Sequence, residues 1–97
     1  MEAANVTRYA ARVDNAHGLI RDAIRKAGYY VFDTHALGCG FPDLLAVNHH
    51  GHVVLFEVKS PGEKMTPPEQ IFRETYPGAL FVVQTAEQAI DYLQMEE

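Results

Sequence analysis

Asp43-Leu44-Leu45-Ala46-Val47-Asn48-His49-His50-Gly51-His52-Val53-Val54-Leu55-Phe56-Glu57-Val58-Lys59 is the stretch whose reading decides the fold. Two apolar, partly β-branched runs flank a short turn of His49, His50, Gly51 and His52, which reads as an antiparallel hairpin. A turn centred near His50 and Gly51 pairs residues whose numbers add up to about 100–102. Asp43 then falls opposite Glu57 or its immediate neighbours. Side chains two apart share a face of a strand, so Glu57 and Lys59 project together while Val58 points away. Two carboxylates and an ammonium are thereby gathered at the end of the hairpin far from its turn. A slip of one residue would turn Asp43 to the other face.

Working outward toward the N-terminus, Pro42 suits the first, edge position of a strand, where a missing N–H costs little. The loop Asp33 to Gly40 carries two glycines, Gly38 and Gly40, around Cys39. Before it, Tyr29-Tyr30-Val31-Phe32 is aromatic and β-branched and predicts another strand. Ala16, Leu19, Ile20, Ala23, Ile24 and Ala27 recur at three- and four-residue spacing. They predict an amphipathic helix that Asp14 or Asn15 caps and Gly28 stops. Arg21 and Arg25 share its exposed face. Residues 1–12 are polar and alanine-rich, with weak helical tendency.

Toward the C-terminus, Ser60 to Lys64 reads as a loop. Thr66-Pro67-Pro68-Glu69 has the N-cap, first-turn prolines and capping-box glutamate of a helix start, and that helix runs to about Thr75. Tyr76-Pro77-Gly78 breaks it, Leu80 to Val83 forms a fourth strand, and Thr85 caps a last helix carrying Ala89, Ile90 and Leu93. The predicted order is α-β-β-β-α-β-α in one α/β domain spanning residues 1–97, its core about 14–93. Strands three and four are joined through a helix and are expected to run parallel, giving a mixed central sheet. Strands two to four are apolar on both faces, so helices are expected to flank the sheet on both sides.

Ninety-seven residues with a hydrophobic fraction of 47% make one globular domain and exclude a disordered chain. No apolar run approaches the roughly 20 residues that cross a bilayer, and residues 1–15 lack the apolar core of a secretory signal. A single cysteine, Cys39, fits a reducing compartment, and the cytoplasm is the expected location. The net charge of −5 runs against nucleic-acid binding, where basic domains are the rule. Its distribution is uneven. Residues 1–26 hold five basic against three acidic residues, a balance of +2, while the remainder holds three against ten, a balance of −7. A phosphate-contacting surface would lie on the first helical region, with Arg21 and Arg25. Carboxylates elsewhere suit divalent cations, which supply positive charge that side chains do not.

The approach of Asp43 to Glu57 is repulsive without a cation between them, so the pair is placed to bind one. Oxygen donors of this type favour Mg²⁺ or Mn²⁺. Such an ion polarises a phosphodiester oxygen and lowers the pKa of a bound water. Lys59, beside two anions, would stay protonated and orient the attacking hydroxide or stabilise charge on phosphorus. The bland reading is a salt-bridge cluster on a sheet edge, but carboxylates flanked by apolar strands need a partner or a metal.

These residues also carry a family resemblance. Gly40-Phe41-Pro42-Asp43, then thirteen residues, then Glu57-Val58-Lys59, looks like the P-D…(D/E)-x-K signature of restriction-endonuclease-like nucleases. The G-x-P-D-L-L opening, the E-V-K-S with its glycine-containing loop and the P-x-E-Q helix start at Pro67 to Gln70 resemble the VRR-NUC domain, the virus-type replication-repair nuclease module. The resemblance covers roughly residues 14–93. It implies a restriction-endonuclease-like α-β-β-β-α-β core and a Mg²⁺- or Mn²⁺-dependent endonuclease acting on branched DNA such as flaps or four-way (Holliday) junctions. It further implies a homodimer, working in replication, repair or recombination in the cytoplasm of a bacterium or a phage-infected host. Matched by position, Asp43 and Glu57 would be metal ligands, the Val58 carbonyl another, Lys59 the catalytic lysine, and Gln70 a contact to the site or the DNA. The family often places a glutamate from the first helix in the metal site. Asp14, in a phage-like D-N-x-H pattern, stands there one methylene shorter.

Other residues carry blander alternatives. Glu69 reads as the capping-box partner of Thr66, and His17 as a solvated or packed histidine. His49, His50 and His52 could suggest zinc, but adjacent histidines in a tight turn point apart, and a solvated turn is the preferred reading. Gly38 and Gly40 mark a place where backbone can approach DNA, and Cys39 lacks a neighbouring base that would make it a nucleophile. Two further function classes compete: a non-catalytic DNA-binding or assembly module on the same scaffold, and a nuclease acting on RNA.

Overall fold

The computed structural model describes residues 16–96. Asp14 and Asn15, the expected caps of the first helix, lie outside the described residues, as does the polar segment before them. The described chain runs α1 (Ala16–Lys26), β1 (Tyr30–Asp33), a short 3-10 turn (His35–Leu37), β2 (Leu44–Val47), β3 (Val53–Val58), α2 (Pro67–Thr75), β4 (Ala79–Val83) and α3 (Ala86–Met95). The four strands form one sheet in the order β1-β2-β3-β4. The first two pairings are antiparallel, and β4 joins β3 in parallel. The fold is α/β with a mixed sheet, as the sequence predicts.

Local signals place the element ends. The amide of Gly28, at φ +98°, donates to the Arg25 carbonyl, and this left-handed residue stops α1. Complete capping boxes start both later helices, Thr66 with Glu69 on α2 and Thr85 with Gln88 on α3. The β2–β3 turn is organised by Asn48, whose Oδ1 accepts from the amides of His50 and His52 at 2.9 Å each. Its Nδ2 donates to the Glu96 carbonyl, which ties the turn to the end of α3.

One face of the sheet carries the core. Val31, Leu44, Ala46, Val54, Phe56 and Val83 pack against Ile20 and Ile24 of α1 and Ala89 and Leu93 of α3. Deleting the fully buried Phe56 ring should cost about 3–5 kcal/mol. The expected two-sided cover is present but uneven: α2 reaches the opposite face, where its Glu69 meets Lys59. Among the described residues, α1 and α3 both lie on the core face. On the opposite face Leu55 and Glu57 are buried, while Tyr30 (62%) and Phe32 (58%) stand exposed. The reason lies in where α2 is held: it sits over one end of the sheet, where Phe72 meets Phe41 edge-on at 5.1 Å and the Pro68 backbone closes on Gly40. That end is the end of the hairpin away from its turn.

Candidate active site

The hairpin register places the first two residues of the site. Leu44 pairs with Phe56 and Val47 with Val53, so the numbers of partners add to 100 throughout. One step beyond the ladder, Asp43 stands across from Glu57. The Val58 amide donates to Asp43 Oδ2 at 2.8 Å, which continues the pairing through a side chain. The N–H and C=O of one extended residue point to the same strand edge, so the Val58 carbonyl also faces the Asp43 side. The loop before β2 is closed by Thr34, whose amide donates to the Asp43 carbonyl at 2.9 Å and whose hydroxyl donates to the Pro42 carbonyl at 2.7 Å.

A cleft of about 200 Å³ opens at this end of the sheet, lined by His17, His35, Asp43, Glu57, Lys59 and Glu69 among others. Glu57 is 2% exposed and Lys59 6%. Lys59 Nζ lies 2.7 Å from Glu69 Oε1, and 3.5 Å from Glu57 Oε2 and from Glu63 Oε2. Burial works to lower the lysine's pKa, but the bond to Glu69 and the charges of Glu57, Glu69 and Glu63 outweigh it, and the net direction is upward. Lys59 is a held ammonium.

The carboxylates divide their protons. Burial first, then the charge of Asp43 and the bond to Glu69, push Glu57 up to about 8. Glu69 moves the other way, to about 2: burial opposes the shift, but Lys59, the Thr66 amide and Glu57 all donate to it. The two shifts run in opposite directions, which favours a neutral Glu57 beside an ionised Glu69. A buried acid shifted upward beside other carboxylates in a cleft is a strongly perturbed titratable group of the kind that gathers at functional sites. Two carboxylates and a strand carbonyl fit Mg²⁺ or Mn²⁺, which take one or two protein carboxylates and fill their shells with water and phosphate oxygens. Among the described residues no group of three His, Cys, Asp or Glu side chains converges to hold an ion by itself.

The remaining predicted residues fall in different places. Gln70 is exposed on α2, and its Nε2 donates to Glu74 Oε2 at 2.9 Å along the helix, while its neighbour Glu69 lines the cleft. Glu69 does fill the capping box, its Oε1 accepting from the Thr66 amide at 2.8 Å. The same oxygen takes the Lys59 ammonium, a second role that the capping signature gave no reason to expect. Arg21 is engaged by Asp22 at 2.9 Å and Asp33 at 2.8 Å, and Arg25 donates to the Val31 carbonyl at 3.2 Å. Both arginines thus tie α1 to its surroundings. Gly38 is exposed with open space about it, whereas a Cβ on Gly40 would lie 2.5 Å from the Pro68 carbonyl oxygen. His49 stacks on Tyr29 at 4.3 Å, and His50 stacks with His52 at 6.3 Å.

His35 lies outside the predicted set. Its Nδ1 is 2.7 Å from Asp43 Oδ1, and its ring stacks on His17 at 4.1 Å. The sequence signal for it is slight: a histidine in a glycine-rich loop, eight residues before Asp43.

No match was found when the chain was compared with models of known protein families, with curated proteins and with solved structures.

Proposed function

We propose that this chain is a metal-dependent endonuclease that hydrolyses phosphodiester bonds in DNA. The observation that carries the reading is the joining, in one cleft, of a facing Asp43–Glu57 pair with a buried, protonated Lys59. A surface ion-pair cluster has no need to bury a neutral glutamic acid beside two other carboxylates.

Asp43, Glu57 and the Val58 carbonyl would hold Mg²⁺ or Mn²⁺. The ion would supply Lewis acidity at the phosphate and a nucleophilic water near neutral pH. Lys59 orients the attacking water and meets the charge that grows on phosphorus, and Glu69 fixes the ammonium for that task. The leaving 3′-oxygen takes its proton from solvent. Because Glu57 releases a proton when it takes a metal, ion binding should tighten as pH rises from 6 to 8.

Branched DNA is the proposed substrate class. An acidic domain of this size offers a small basic footprint, and two cleft-bearing copies in a dimer would select shape rather than sequence. No helix among the described residues is long and apolar enough to cross a membrane. The test is incubation with linear, flap and four-way-junction DNA and with single-stranded RNA in Mn²⁺, beside Lys59→Ala and EDTA controls. Cleavage of branched DNA that both controls abolish is expected. Cleavage of none of the substrates, or cleavage that survives both controls, defeats the proposal, and cutting of RNA alone reassigns its substrate. Sedimentation of a monomer at micromolar concentration would remove the dimer.

A further inference from the structure

Asp43 is gripped at both oxygens. Val58 N–H donates to Oδ2, and His35 Nδ1 lies 2.7 Å from Oδ1. An ionised carboxylate only accepts, so the imidazole must carry its proton on Nδ1. A carboxylate has about four lone-pair sites, and these two bonds stop its rotation while leaving a free lone pair on each oxygen.

His35 is itself held from behind. Its ring stacks on His17, with centroids 4.1 Å apart and planes 18° from parallel. His17 Nε2 lies 3.2 Å from Asp33 Oδ2, the oxygen that also takes Arg21 Nη1 at 2.8 Å. Asp33 Oδ1 accepts the His35 amide at 3.0 Å. A continuous set of contacts thus runs from α1 through Asp33 and the two rings to Asp43. The loop backbone does not need it, because Thr34 already ties residues 34, 42 and 43 together. The His35 side chain is 54% exposed, where a hydrogen bond adds little to stability. Its placement therefore answers to Asp43.

We infer that His35 is a positioning residue for the metal site. From outside the coordination shell it fixes the Asp43 carboxylate through Nδ1–H, and His17 and Asp33 hold its ring in place. This rests on the reading of Asp43 as a metal ligand. Outer partners of metal ligands act in this way, by orienting the donor and tuning its basicity.

The test is Mn²⁺ binding by isothermal titration calorimetry, alongside thermal unfolding in EDTA and pulsed electron paramagnetic resonance of bound Mn²⁺. His35→Ala should weaken binding by about 10–100-fold with little change in the metal-free unfolding midpoint. His35→Asn, whose side-chain amide can donate from near the Nδ1 position, should restore most of the affinity. His17→Ala should weaken binding less than His35→Ala. No directly coordinated imidazole nitrogen is expected in the Mn²⁺ spectrum. Asp43→Ala separates the two levels. If it binds Mn²⁺ as tightly as the wild type, the metal reading falls and this inference falls with it. If Asp43→Ala loses binding while His35→Ala keeps it, only the inference falls. A coordinated nitrogen that disappears in His35→Ala would make His35 a ligand and overturn the positioning role.

Discussion

Glu69 and Gly40 each satisfy two constraints at once, and the two can be separated by substitution. One carboxylate oxygen of Glu69 accepts both the Thr66 amide that starts α2 and the Lys59 ammonium. Glutamine also closes a capping box, so Glu69→Gln should keep the helix start while removing the charge that holds the buried Lys59, and the unfolding midpoint should fall with that charge. The expected outcome is a fall in kcat of about tenfold or more from misplacing the ammonium, read in the DNA-cleavage assay. Gly40 has φ +85° and lies against Pro68. Gly40→Ala should cost about 2 kcal/mol or more in urea unfolding, because backbone rather than a mobile side chain blocks the new methyl. The sequence marked Gly40 as a place of close approach. What approaches it in the structure is this chain's own helix.

At the scale of elements, the hairpin was fully legible. Period-two patterning and a short turn fix a register in which a slip of one residue would expose Leu44, Ala46, Val54 and Phe56, and that penalty holds Asp43 opposite Glu57. The helix starts were legible for a similar reason, since capping is local. The placement of α2 was not. Its capping box says where the helix begins but not what it leans on. Thr66→Ala and Thr85→Ala each remove one cap and should each cost about 1 kcal/mol in thermal unfolding. Only Thr66→Ala should also lower DNA cleavage, because of these two helices only α2 delivers a cleft residue. Equal activity in the two variants would dissociate α2 from the site.

For the whole molecule, the buried acid makes stability depend on pH. Glu57 has a folded pKa of about 8, against 4.5 for the ordinary group. The folded state therefore holds a proton that the unfolded chain releases. The stabilisation is fully present below about pH 4.5 and is lost as pH rises through 8. In EDTA the free energy of unfolding should fall by on the order of 2–4 kcal/mol between pH 5 and pH 9. Glu57→Gln should flatten that slope. Glu69 runs in the opposite sense, its contribution being lost as pH falls from the ordinary carboxylate range toward 2, so the two opposing windows can be read separately.

The sequence by itself determined what depends on near neighbours along the chain: the strands, the capped helices, the hairpin register, and through that register the meeting of Asp43, Glu57 and Lys59. Those features follow from periodicity and local hydrogen bonds, which any stretch of chain carries with it. Tertiary structure alone decided which helices share a face of the sheet, that Glu69 rather than Gln70 turns into the cleft, and that His35 grips Asp43 from a loop. The same packing engaged Arg21 and Arg25 within the fold. The physical reason is common to all of these. They are contacts between segments whose separation in space is set by packing, and one residue's phase on a helix or one turn of a loop is enough to exchange the side chain that arrives.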